Sequence, residues 1–111
     1  MPRRPDLLGS LEQIVLLAVL RLGQNAYGVT VRQEIERRTG RDISIGAVYA
    51  TLERLQAKGY VSSAVGEPTA ERGGRAKRFF QIEVNGKRAL YVSHQAVRKM
   101  AAGLENDWEA T

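Results

Sequence analysis

At Gly59 the spacing of apolar residues changes from helical to strand-like, and it changes back near Gly86. Upstream, Leu11, Ile14, Val15, Ala18 and Leu22 recur at helical intervals, Val31 and Ile35 share one face of a second segment, and Ile45, Val48, Leu52 and Leu55 form a third stripe. That spacing gathers apolar side chains on one face of a helix. Downstream, Tyr60–Val65 and Arg78–Ile82 are short β-prone runs separated by a loop holding Gly66, Pro68, Gly73 and Gly74. The order is helix, helix, helix, hairpin, helix, a mainly α fold with a small β-hairpin.

Local signals set the expected bounds. Ser10 followed by Gln13 has the form of a capping box, and Gly23 is a stop, which predicts a first helix over Ser10–Leu22. Leu16, Leu17, Val19 and Leu20 fill its other faces, so most of it should be covered, part of it by a second subunit. The second helix is expected from about Tyr27 to Thr39, ended by Gly40. Ser44 should cap the third, which stops at Lys58-Gly59. A last helix is expected to run from Asn85-Gly86 to about Trp108. In it Leu90, Val97 and Leu104 lie seven apart, with His94, Ala101 and Trp108 seven apart between them. With no repeat and no long linker, residues 1–84 form one domain with an arm at 1–9, and 85–111 form a helix that is not an independent domain.

Composition narrows the chemistry. With no cysteine, a disulfide framework, a thiolate metal site and a cysteine nucleophile are excluded. His94 is the sole histidine, so a metal site would have to be built with carboxylates or across a dimer, and neither a metal nor a cofactor is expected. There is no serine, histidine and acid pattern and no phosphate-cradling glycine loop with a lysine, so catalysis is not expected. The basic start leads into a run interrupted by Glu12 and Gln13, unlike a signal peptide, and Ile14–Leu20 is too short to span a bilayer. A cytoplasmic protein without membrane contact is expected. Net charge is +5, and the stretch from Arg72 to Arg88 holds six cations against one anion, which equals that whole excess. Such a field favours a polyanionic partner.

Three helices followed by a two-stranded wing is the layout of a winged helix-turn-helix, in which the third helix enters the major groove of double-stranded DNA. If Val48, Leu52 and Leu55 hold that helix to the core, Ser44, Ala47, Tyr49, Ala50, Thr51 and Arg54 remain for its partly or fully exposed faces. Ala47 or Ala50 can meet a thymine methyl and Ser44 or Thr51 a base or phosphate, although small residues also simply favour helix. Tyr49 can reach a phosphate or complete the core. At the hairpin tip, Gly73 and Gly74 permit close backbone approach while Arg72, Arg75 and Lys77 supply phosphate partners. The plainer alternative there is a solvated charge run. The four-three stripe of the last helix (Leu90, His94, Val97, Ala101, Leu104, Trp108), together with Leu11 and Val15, is the expected homodimer surface, unless it folds back on its own domain. A twofold dimer predicts a palindromic operator. Trp108 can line an inter-subunit ligand pocket or simply pack. The competing function is a winged-helix docking module that binds protein and no specific DNA.

With those elements assigned, the chain resembles the PadR family of bacterial transcriptional regulators, in particular its short members with a single C-terminal dimerisation helix. The resemblance rests on Leu8-Gly9-Ser10-Leu11-Glu12, Ala26-Tyr27-Gly28, the run Ile45–Leu55, Lys58-Gly59-Tyr60-Val61 and the arginine- and glycine-containing wing that leads into Phe79-Phe80. It implies repression at a promoter and release by a small aromatic or amphipathic effector held near a tryptophan, here Trp108. Many relatives begin the last helix with threonine and proline ahead of a glycine. This chain has Glu83-Val84-Asn85-Gly86, where Asn85 is the expected cap.

Overall fold

The computed structural model describes residues 5–66 and 76–108. Its elements are α1 (Ser10–Leu22), a 3-10 turn (Gly23–Asn25), α2 (Gly28–Thr39), α3 (Ile45–Ala57), β1 (Val61–Val65), β2 (Arg78–Ile82), α4 (Val84–Ala101) and α5 (Glu105–Trp108). This is the expected mainly helical fold with one antiparallel hairpin.

The bounds of α1 agree with its apolar repeat, but its cap lies one residue earlier than Ser10-Gln13 suggests. Gly9 is the cap, and its N–H donates to Glu12 Oε1 at 3.0 Å. Gln13 instead donates its amide to the Leu8 carbonyl at 3.0 Å. The cause is tertiary: Leu8 is buried and its N–H donates to Ser93 Oγ of α4 at 2.9 Å, which fixes where the chain turns into the helix. Val15, Leu16 and Val19 then face inward and build the core with Val31, Ile35, Val48, Leu52, Leu55 and Phe80.

α3 is bounded by two complementary devices. Ser44 Oγ accepts from the Ala47 N–H at 3.1 Å, as its sequence position predicts. At the other end Gly59 takes φ 78°, and the Tyr60 and Gly59 N–H groups donate to the carbonyls of Leu55 and Gln56, both at 2.9 Å. That Schellman arrangement needs a left-handed residue after the helix. It turns the chain directly into β1.

The hairpin pairs Val61 with Ile82, Ser63 with Phe80 and Val65 with Arg78. A further pairing was not anticipated: Tyr27 bridges Phe79, and the Phe80 N–H donates to the Ala26 carbonyl at 2.8 Å. The segment ahead of α2 therefore covers the outer edge of β2. A single bridge leaves too short a repeat for sequence periodicity to reveal.

Two expectations for the last helix are corrected. Asn85 is not the cap, because the helix begins at Val84 with Glu83 as cap residue and no side-chain bond there. The start is set by packing: the Glu83 N–H donates to the Tyr60 carbonyl at 2.9 Å, and Gly86 is pressed against that same peptide. Nor does one helix reach Trp108. α4 ends at Ala101, Gly103 adopts φ 87°, and a separate turn of helix, α5, carries Trp108. The seven-residue repeat continues across this break in sequence but not along one helix axis.

Candidate nucleic-acid interface

The third helix is held on three sides. Val48, Leu52 and Leu55 are fully buried. Arg32 of α2 donates from Nε to the Ile43 carbonyl at 2.9 Å and from Nη2 to Asp42 at 3.2 Å, which ties the α2–α3 turn to α2. Tyr49 lays its ring over the start of α2. A Cβ at Gly28 would come within 2.7 Å of Tyr49 Cε2, so the ring could keep this position only over a glycine. Its ring is thus partly packed while 39% of the residue stays exposed.

What remains outward is a face with little side-chain bulk. Gly46, Ala50, Glu53 and Ala57 are exposed at three- and four-residue spacing, flanked by Ser44, Ile45, Tyr49 and Arg54. Ile45, expected in the apolar stripe, is 39% exposed instead. Ala47 is half-buried at the margin of the face. Thr51 is corrected outright: it is fully buried, its hydroxyl donates to the Ala47 carbonyl at 2.8 Å and accepts from Arg54 Nη2 at 3.2 Å. A threonine one turn from Val48 and beside Leu52 lies on the inner face, and its hydroxyl is satisfied within the helix. Among the described residues Arg54 has no carboxylate within salt-bridge distance, whereas Arg78 pairs with Glu53 and Lys58 with Glu12 at 2.8 Å.

At the wing, Arg72, Gly73, Gly74 and Arg75 lie outside the described residues. Lys77 is placed at the wing root. Its Nζ stands 4.5 Å over the Tyr27 ring and 3.3 Å from the Tyr27 hydroxyl, and the Gly66 N–H donates to its carbonyl at 2.7 Å. Tyr27 in turn meets Phe79 edge-on, with ring centroids 5.4 Å apart. Sequence reasoning passed over Tyr27 and Arg78 as parts of this site. The short aromatic and cationic pattern around Phe79-Phe80 was the available signal.

The expected dimer residues divide into two groups. Val15 is fully buried and Leu90 nearly so within this chain's own core, so neither presents a contact surface. Leu11 is partly buried and packs against the same core. The end of the chain differs: Val97 is 57%, Met100 79% and Trp108 68% exposed, and Leu104 is also exposed. His94 is exposed and Ala101 half-buried beside them. With Leu7 of the arm, Val97, Met100, Leu104 and Trp108 line an open apolar groove of about 370 Å³. Leu17 and Leu20 of α1 are exposed as well.

Two acidic groups have lowered pKa values, and both are structural. Burial pushes the Glu12 carboxyl up, but bonds from Lys58 and the Gly9 amide outweigh it and hold Glu12 below the ordinary value. Glu34 is lowered by hydrogen bonds from Arg37 and Arg38 of its own helix. Among the described residues no cluster of His, Asp and Glu is arranged to hold a metal ion, and no helix is long and apolar enough to cross a membrane.

The described geometry is that of a supported helix with a bare outer face beside a braced hairpin. Known structures share the fold. A PadR family transcription regulator from Clostridium difficile matches with a TM-score of 0.68 at 21% identity, over 87% of this chain and 97% of the other. A transcriptional regulator from Clostridium thermocellum matches with a TM-score of 0.72 at 19% identity, over 89% and 93%. A PadR-like transcriptional regulator from Bacillus cereus matches with a TM-score of 0.68 at 19% identity, also over 89% and 93%. At these identities the likeness establishes the winged helix fold. Among curated proteins, none matches the chain in sequence. The sequence model of the PadR-like transcriptional regulators, a family of regulators rather than enzymes, matches residues 16–92, from the middle of α1 into α4. The chain therefore belongs to the PadR-like family of transcriptional regulators.

Proposed function

We propose that this regulator binds a palindromic double-stranded DNA operator as a homodimer and represses transcription from it, in the cytoplasm of a bacterium. The observation that carries the DNA-reading role is the outer face of α3, where Gly46 and Ala50 leave room for base edges while Ser44, Tyr49 and Arg54 stand at its margins. The wing supplies backbone contacts through Lys77 at its root and Arg72 and Arg75 at its tip, with Gly73 and Gly74 allowing close approach.

The homodimer reading is supported by the exposed row Val97, Met100, Leu104 and Trp108, which is more apolar than a solvated helix end requires. A second copy of this chain covers that row across a twofold axis, setting the two recognition helices about one DNA turn apart. A flat aromatic or amphipathic effector held against Trp108 in the groove would shift how the two heads are spaced, and so release the DNA.

The test is a titration against the promoter DNA of its own gene and a scrambled duplex across a salt series, with Arg72→Ala plus Arg75→Ala as a comparison. The proposal expects the promoter to be preferred about a thousandfold or more, with a log-log slope near −0.9 per phosphate contacted and a shallower slope for the double variant. Equal, weak binding to both duplexes, unchanged in the variant, would instead support a protein-docking module.

A further inference from the structure

Arg78 is one of the six cations between Arg72 and Arg88 that make up the net positive charge, and its surroundings give it a specific task. The Arg78 guanidinium pairs with the Glu53 carboxylate, donates from Nη2 to Gln56 Oε1 at 2.7 Å and from Nε to Ser63 Oγ at 3.1 Å, and lies 4.8 Å from the centre of the Phe80 ring. Ser63 Oγ itself donates to Gln56 Oε1 at 2.9 Å. Glu53 and Gln56 are three residues apart on α3. Ser63 is on β1, and Phe80, directly opposite it, is on β2. One side chain of β2 thereby holds the recognition helix and both strands of the wing.

Resting on the DNA-reading role proposed above, we infer that Arg78 is a positioning residue that fixes the pitch of the wing against α3 through Glu53, and does not bind phosphate. A planar guanidinium that directs Nη1 to Glu53, Nη2 to Gln56 and Nε to Ser63 sets direction as well as distance, which a lysine at the same place does not. The inference also accounts for Glu53, an acid on the outer face of a helix that approaches a polyanion: paired with Arg78, it adds no net charge to the approaching field. Lys77 braces the other flank through Tyr27, which is the cap residue of α2. The wing root is thus tied to both helices of the reading head.

The test compares wild type, Glu53→Gln, Arg78→Gln, Arg78→Lys and the Glu53→Gln/Arg78→Gln double variant. The probes are the tightest duplex that the wild type selects from a random pool and a scramble of it, across salt. The inference expects Glu53→Gln and Arg78→Gln each to lower the selected-over-scramble ratio by about tenfold, the double variant to be no worse than either, and Arg78→Lys to give no rescue. If Glu53→Gln binds both duplexes as tightly as wild type or tighter, while Arg78→Gln reduces the salt slope by about 0.9 and Arg78→Lys restores it, Arg78 is a phosphate contact and the inference fails. Should the wild type select no sequence, the DNA-reading role is what fails. The lock is then read without DNA by amide exchange: faster exchange in Ser62–Ala64 and Phe79–Gln81 with α1 unchanged supports it, and unchanged exchange in both single variants overturns it.

Discussion

Replacing Gly86 by alanine tests how α4 is seated. In an exposed helix interior that change stabilises by up to about 1 kcal/mol, because alanine restricts the unfolded chain and glycine does not. At Gly86 the sign should reverse. The added Cβ would stand 3.0 Å from both the Tyr60 carbonyl carbon and Ile82 Cγ1, and about 1 Å inside normal contact with the Tyr60 carbonyl oxygen. That oxygen cannot swing aside, since it accepts the Glu83 N–H at 2.9 Å. The helix must lift instead, straining the core and loosening that bond, for a combined loss of about 3 kcal/mol less the helix-propensity gain, or about 2 kcal/mol net. Urea unfolding at fixed protein concentration should show a midpoint lower by about 1 M for a slope of about 2 kcal/mol per molar. Gly46→Ala is the control, because a Cβ there meets only Ser44 Oγ at 4.0 Å. It should be neutral or stabilising by about 0.5 kcal/mol. If Gly86→Ala proves as stable as Gly46→Ala, the close seating of α4 on the α3–β1 turn is wrong.

Glu12→Gln should destabilise by about 0.5–1 kcal/mol at neutral pH, a value discounted because the Lys58 side chain is 45% exposed. The folded-state pKa of Glu12 is below its ordinary 4.5, so its contribution is present above that value and is lost as pH falls through the lower, folded pKa. Thermal unfolding of the two proteins should therefore converge in acid, and a gap that widens there would refute the assignment. Val97→Glu should leave circular dichroism unchanged, since Val97 is 57% exposed in the single chain. Light scattering should show the proposed dimer weakened by about a thousandfold, as burying an unpaired carboxylate at each half of its interface costs several kcal/mol. A dimer of undiminished strength would move the interface elsewhere.

Periodicity and end signals carried the fold far. The repeat from Leu11 to Leu22 gives α1 its length, Ser44 and Gly59 bound α3, and the β-prone runs on either side of the tip became β1 and β2. These depend on neighbours within a turn or a strand, which the chain states directly. The outer face of α3 was legible for the same reason, because Val48, Leu52 and Leu55 mark its inner face.

The remainder depends on residues far apart in sequence. Ser93 takes the Leu8 amide across 85 positions, moving the α1 cap to Gly9, and Tyr60 rather than Asn85 sets the start of α4. Thr51 looked available because its type suits DNA, yet its register along α3 turns it inward. Val15 and Leu90 looked like interface residues because apolar spacing does not tell which body covers a side chain, and this chain's own core takes both. Arg78 counted as surplus charge until Glu53, on another element, was seen to neutralise it. The sequence by itself determined the first three helices, the hairpin, their order and the family. Tertiary structure decided which faces and charges stay free for DNA or a second subunit, because partnership is a matter of distance in space, and chain spacing encodes it only within a few residues.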